Sequence, residues 1–208
     1  MNHFQFKWAN GFVLAALLGL ASCNSEKKPE SDSASSGQGT RTVAVVAGEA
    51  GGVVEDTFTA SATVSDINKS ERKITLKSSD GSKTSFTAGP QIRNFDQLKE
   101  GDKVNATVIE RLEVFVRGSG EDPSVTHSAA LARAPKGAKP GALVAEMYEI
   151  VAAVKSIDQS ARTALLEFAD GQRRTVKIRP DVDLTRYKVG DNVVIRVSAA
   201  LTVLAETP

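Results

Sequence analysis

The residues of this chain that could do chemistry are few and scattered. One thiol, Cys23, closes an apolar run near the N-terminus. Met1, His3 and Trp8 belong to that opening segment, so His127 and Met147 are the imidazole and thioether of the remainder. One His and one Met in different segments do not make a copper site, which needs several soft ligands converging. His127 has no Gly-x-Ser-x-Gly motif or activated nucleophile beside it, so no triad is in view. Asp181-Val-Asp183 offers oxygen ligands, but Ca²⁺ takes about six to eight and no loop motif supplies the rest. No cofactor, no metal centre and no enzymatic reaction are expected.

A basic cluster is the one feature with a binding character. Arg173, Lys177 and Arg179 fall on one face of a predicted strand by the period of two, with Arg174 opposite. Between Gln172 and Lys188 there are six basic and two acidic residues. Such an excess could dock an anion: a phospholipid headgroup, an acidic glycan, or a partner's acidic patch. The same cations also protect an edge strand from pairing. Asp80, Asp170, Asp102 and Asp191 recur beside glycines. Aspartate there accepts local backbone amides, so these four are expected to build turns.

Elements must now be found to carry these residues. The leader has a weakly basic start at Lys7 and an apolar stretch, residues 11–21. As a helix that stretch spans roughly 17 Å, too short for a hydrocarbon core of about 30 Å. Leu20-Ala21-Ser22-Cys23 follows it and resembles the lipobox of bacterial lipoproteins. The resemblance implies diacylglyceryl transfer to the Cys23 thiol, cleavage before Cys23, and acylation of the new amine. Two or three acyl chains anchor stably where one does not. Asn24 after the cysteine, in that family, implies sorting to the outer membrane, with the protein facing the periplasm of the cell envelope.

Cleavage at that point leaves 186 residues and removes one charged side chain, Lys7, so 25 basic residues face 25 acidic ones. An even balance argues against a nucleic-acid partner, which demands many unpaired cations on phosphates. With Cys23 lipidated no thiol remains for disulfides or thiolate metal sites. Residues 24–39 are polar, rich in Ser and Gly, and free of large apolar side chains. They read as a disordered tether with an r.m.s. reach of roughly 20–24 Å.

Beyond the tether the chain repeats itself. Val64, Ile67, Ser70, Arg72, Leu76, Asp80 and Gly81 recur 90 positions later as Val154, Ile157, Ser160, Arg162, Leu166, Asp170 and Gly171, and Pro90 as Pro180. After a one-residue deletion the offset is 89: Gly101-Asp102, Val104, Val108, Leu112 and Val114 recur as Gly190-Asp191, Val193, Val197, Leu201 and Val203. A ladder this long marks a duplicated unit of roughly 60 residues.

Each unit reads as short strands and turns. Strands are predicted at 57–67 and 147–157, at 73–78 and 163–168, and at 83–88 and 173–179. Type I′ hairpins are expected at Asp80-Gly81 and Asp170-Gly171. Short turns at 94–99 and 184–188 lead through Gly-Asp into long strands at 103–116 and 192–205, and residues 41–46 could add one more strand. Open sheets of this size leave apolar edges exposed, so an all-β fold of two tandem small β-barrels, OB-like or SH3-like, is expected. The division is 1–22 leader, 23–40 tether, 41–117 first module, 118–142 Gly/Pro-rich connector with a helical turn or two at 128–134, and 143–208 second module. The two units resemble a family of proteobacterial envelope proteins with duplicated β-modules. That resemblance implies a fold and a location, and no activity.

The function expected from this reading is non-enzymatic: a lipid-anchored binding or scaffolding module. The alternatives are a carrier or sensor for a small anionic or glycan ligand on the basic face of the second module, and an envelope hydrolase, for which no catalytic cluster is visible.

Overall fold

The computed structural model describes residues 37–90 and 92–206. Cys23 and most of the expected tether lie outside the described residues. The fold is all-β: ten strands with two short 3-10 turns. In the first unit these are β1 (Gly37–Ala44), β2 (Gly51–Asn68), β3 (Lys73–Ser78), β4 (Lys83–Thr87), the turn Phe95–Gln97 and β5 (Lys103–Arg117). The second repeats them as β6 (Ser124–Arg133), β7 (Gly141–Asp158), β8 (Thr163–Glu167), β9 (Arg173–Lys177), the turn Leu184–Arg186 and β10 (Asn192–Glu206).

All ten strands join one open antiparallel sheet, in the order β4-β3-β2-β5-β10-β7-β8-β9, with β1 on β2 and β6 on β7. The pairing therefore does not divide into two separate closed barrels. The reason lies in the long strands: β5 and β10 pair with each other from Lys103↔Glu206 to Arg117↔Asn192. Their register sets Glu110 opposite Ala199. These two positions are equivalent under the 89-residue offset, so an approximate twofold axis relating the units passes between them.

Strand period and register sort the side chains onto two faces. One face carries Val104, Leu112, Val114, Val193, Ile195 and Val203, and its ends are covered by the curled arms β3–β4 and β8–β9. At the first unit's end of the sheet Val64, Ile74, Phe95, Leu98 and Val104 form a buried cluster with Ala205 of β10. In the second, Ala152, Val154, Ala164 and Leu166 do so, with Phe168, Val176 and Ile178 packed against them. The opposite face is ionic at its centre. Arg196 lies between Glu113 and Glu149, at 3.7 and 2.6 Å, and its guanidinium stacks 4.9 Å from the Phe115 ring.

A β-bulge interrupts β2 between Val64 and Asp66 and β7 between Val154 and Ser156. Each bulge bends its strand where pairing passes from the central sheet, which ends at Thr63 and Ala153, to the arm.

Three local expectations change. The Asp-Gly hairpins are not type I′, because Gly81 and Gly171 have positive φ while Asp80 and Asp170 do not. Gly81 N–H donates to Ser78 O and Ser78 N–H to Ser82 O, the pattern of a type I turn closed by a left-handed glycine. Residues 124–133 form strand β6, not a helical turn in a connector. Their alanine content suits a helix, but pairing with β7 overrides that propensity. Strand β1 begins at Gly37, inside the stretch expected to be tether.

Candidate ligand cavity

The two arms pack differently, and the difference follows from side-chain size. Where the first unit has Ile74 and Phe95, the second has Ala164 and Leu184. Phe95 is 1% exposed and fills the space behind its 3-10 turn. In the second unit a partly open cavity of about 150 Å³ lies among Ala164, Leu166, Phe168, Leu184, Val114 and Ile195. Its walls come from β8, from the second 3-10 turn, and from β5 and β10 of the central sheet, so both units build it. Arg174, Lys177, Arg179 and Tyr187 also line it.

The chain closing this cavity is held by reciprocal clamps. Residues 45–51, between β1 and β2, lie against the second unit's turn. Arg179 donates to the carbonyls of Glu49 (3.0 Å) and Gly51, and pairs with Asp181 (3.0 Å). Ala50 N–H donates to Tyr187 Oη at 2.8 Å, and Asp183 N–H to Gly48 O at 3.1 Å. The converse clamp sets residues 135–138 against the first turn, where Asn94 Nδ2 donates to Pro135 O and Ala138 O at 2.7 and 2.9 Å. Gly51 must be glycine: its φ is +102° and a Cβ would run into the Val114 carbonyl.

Two arginines that recur in the sequence hold the arms from inside. Arg72 and Arg162 both adopt φ 52°, a left-handed conformation unusual for their residue type. Arg72 donates to the carbonyls of Ala88, Gly89 and Ile92. Arg162 donates to those of Arg179 and Val182 at 2.6 and 2.7 Å. Each satisfies the carbonyls of the segment running past Pro90 or Pro180, which no strand partner serves. The repeat marked these residues; the physical reason appears only in three dimensions.

The predicted basic residues separate into distinct roles. Arg173 is bound to Glu167 at 2.7 Å, and with Lys155 it holds the Glu167 carboxyl below the ordinary range. Arg179 is committed to the clamp, and its hydrogen bond keeps Asp181 low as well. Lys177 is exposed and has no carboxylate partner among the described residues. Arg174 stacks 5.7 Å from the Phe168 ring, at the cavity wall. Arg174 thus keeps an uncommitted charge at the cavity wall, whereas Lys177 sits between the inward-packed Val176 and Ile178 and strand alternation turns its side chain away.

The remaining candidates are structural. Asp102 and Asp191 are buried and accept from Lys99 N–H (3.0 Å) and Lys188 N–H (2.9 Å). Asp80 accepts from Ser82 N–H and Asp170 from Gln172 N–H, both at 2.9 Å. Asp183 accepts from Thr185, which holds its carboxyl low. His127 stacks on Tyr148, ring centres 4.4 Å apart, across the β6–β7 pair. Among the described residues no group of three His, Cys, Asp or Glu could hold a metal ion, and no helix is long and apolar enough to cross a membrane.

Comparison with protein-family models, with curated proteins and with solved structures gave no match.

Proposed function

We propose that the protein is a lipid-anchored, non-enzymatic binding module of the bacterial envelope, whose second unit holds a small anion with an apolar tail. The observation that carries this reading is the 150 Å³ apolar cavity with the Arg174 guanidinium at its wall, over Phe168. A void of about 150 Å³ is large enough for a group of roughly six carbons, the size of benzene. Empty volume in a closed core costs about 24 cal/mol per Å³, so a cavity of this size forgoes at most about 3.6 kcal/mol, and less where it opens to solvent. The first unit avoids that cost with Phe95. The lining favours a hydrocarbon chain with one charged end over a glycan, which would need hydrogen-bonding groups along its length.

The anchor at Cys23 comes from the lipobox resemblance, and the periplasmic face of the outer membrane from Asn24. In this reading each end of the sheet descends from a small OB-like or SH3-like barrel that opened when duplication let β5 and β10 pair. Calorimetric titration with hexanoate tests the function. Saturable binding by the wild type, weakened several-fold by Arg174→Glu and absent for hexyltrimethylammonium, is expected. Equal binding of the cation and the anion would overturn the anionic preference. No binding of either would overturn the ligand site.

A further inference from the structure

The duplication that makes the cavities unequal also makes the outer edges unequal. Strands β1 and β6 are the equivalent outermost strands beside the central sheet, each paired on one side only among the described residues. At its middle β1 carries Arg41, paired with Asp56 at 2.9 Å. The corresponding position of β6, by register against β2 and β7, is Ala129. From Ser124 to Ala132 strand β6 has no Lys, Arg, Asp, Glu or Pro, and its register against β7 runs without a bulge. Strand β9, an end of the sheet, carries Arg173, Arg174 and Lys177. Charges, prolines and bulges are the devices that keep sheet edges from pairing. The β6 edge has none of them over nine residues.

The edge has a defined set of unpaired groups. Ala134 N–H donates to Gly141 O at 3.0 Å. Alternation along the unbroken register then turns the N–H and C=O of Val125, His127, Ala129 and Leu131 outward. Val125 is 59% exposed and Leu131 46%. Both lie on the apolar face. Register puts Leu131 in one row across the sheet with Val144, Leu201, Val108 and Phe58.

We propose that β6 pairs antiparallel with β6 of a second copy of this chain, about a twofold axis through Ser128. A twofold perpendicular to the sheet requires facing residues to share a face, and this register meets that requirement. Val125 then faces the partner's Leu131, and His127 faces the partner's Ala129. The outward backbone groups meet one another, and the apolar row continues across the junction. Charge favours the same arrangement. Asp122 precedes β6, beside Glu121 that is paired with Arg117 at 2.6 Å, while Arg133 and Lys136 close and follow it, so antiparallel pairing brings Asp122 of each copy to the basic end of the other. A self-complementary interface of this kind closes as a dimer.

Cysteine cross-linking in intact cells tests the register. Ser128 faces its own counterpart at a non-hydrogen-bonded site, where Cα atoms are about 4.5 Å apart and a disulfide is feasible. Ser124 would lie roughly 27 Å from its counterpart at ~3.4 Å per residue. Mild oxidation should convert most of Ser128→Cys to a band of twice the chain mass. Ser124→Cys and the unsubstituted chain should remain monomeric, and adding Leu131→Lys to Ser128→Cys should cut the dimer band at least fivefold. Equal dimer from Ser124→Cys, no dimer from Ser128→Cys, or an adduct of another mass would each overturn the proposal.

Discussion

Phe95 and Leu184 stand at the same place in the two halves of a duplicated chain, and only the larger fills the space behind its turn. Phe95 is sealed beneath the Arg72 guanidinium, 4.7 Å from its ring centre. Leu184 borders a cavity instead. The two units share strand order, bulges, turn chemistry and an internal arginine. One has a packed core behind its turn, while the other has a cavity there.

Filling that space should abolish binding without unfolding the protein. Leu184→Phe is expected to raise unfolding stability by about 1 kcal/mol, part of the void's cost being recovered and part lost to strain. Urea unfolding measures this. A loss beyond about 2 kcal/mol would mean that the site cannot take the larger ring.

Lys177 and Arg179 are neighbours on the predicted basic face but should behave oppositely. Arg179→Ala removes charge-assisted hydrogen bonds to the 45–51 segment and should cost about 2 kcal/mol of stability. Lys177→Ala should change stability by less than about 0.5 kcal/mol. Paired denaturation curves separate the roles.

Arg162 carries two contributions that substitution can divide. Loss of its carbonyl contacts should destabilise both Arg162→Ala and Arg162→Gly by about 2 kcal/mol. Glycine should regain about 1 kcal/mol of this, since φ 52° suits it without a steric penalty. Thermal unfolding of the two variants should rank glycine above alanine.

Stability should fall on acidification. The hydrogen bond from Arg196, aided by the charges of Arg196 and Arg117, holds Glu149 below its ordinary value against the opposing effect of burial. A carboxyl lowered in the folded state contributes its stability above the unfolded-state pKa and loses it as pH falls through the folded one. Glu149→Gln should therefore be less stable than wild type at pH 7, and the gap should close below about pH 4. Urea midpoints across pH 2.5–7 check this, and a gap independent of pH would contradict it.

Much of the fold is legible in the sequence because turns and strand period are local signals. The Asp-Gly hairpins, both 3-10 turns and the starts of β5 and β10 fall where residue types place them, whereas β2 and β7 begin six residues before the expected 57 and 147. The single open sheet does not, because pairing of β5 with β10 is a contact between units that neither announces. Strand β6 was hidden by alanines and flanking prolines that suit a helical turn in a linker. The basic trio was half legible: period two places Arg173 and Lys177, but the backbone carbonyls that Arg179 clamps lie more than 120 residues away. The cavity had a readable trace in the mismatches of the repeat, Ile74 against Ala164 and Phe95 against Leu184.

Methyl NMR during a hexanoate titration shows whether the ligand enters the cavity. Saturable shifts should appear at Ala164, Leu166 and Leu184 of the wild type, with none in Leu184→Phe. Shifts confined to surface residues, or equal shifts in the filled variant, would contradict the account.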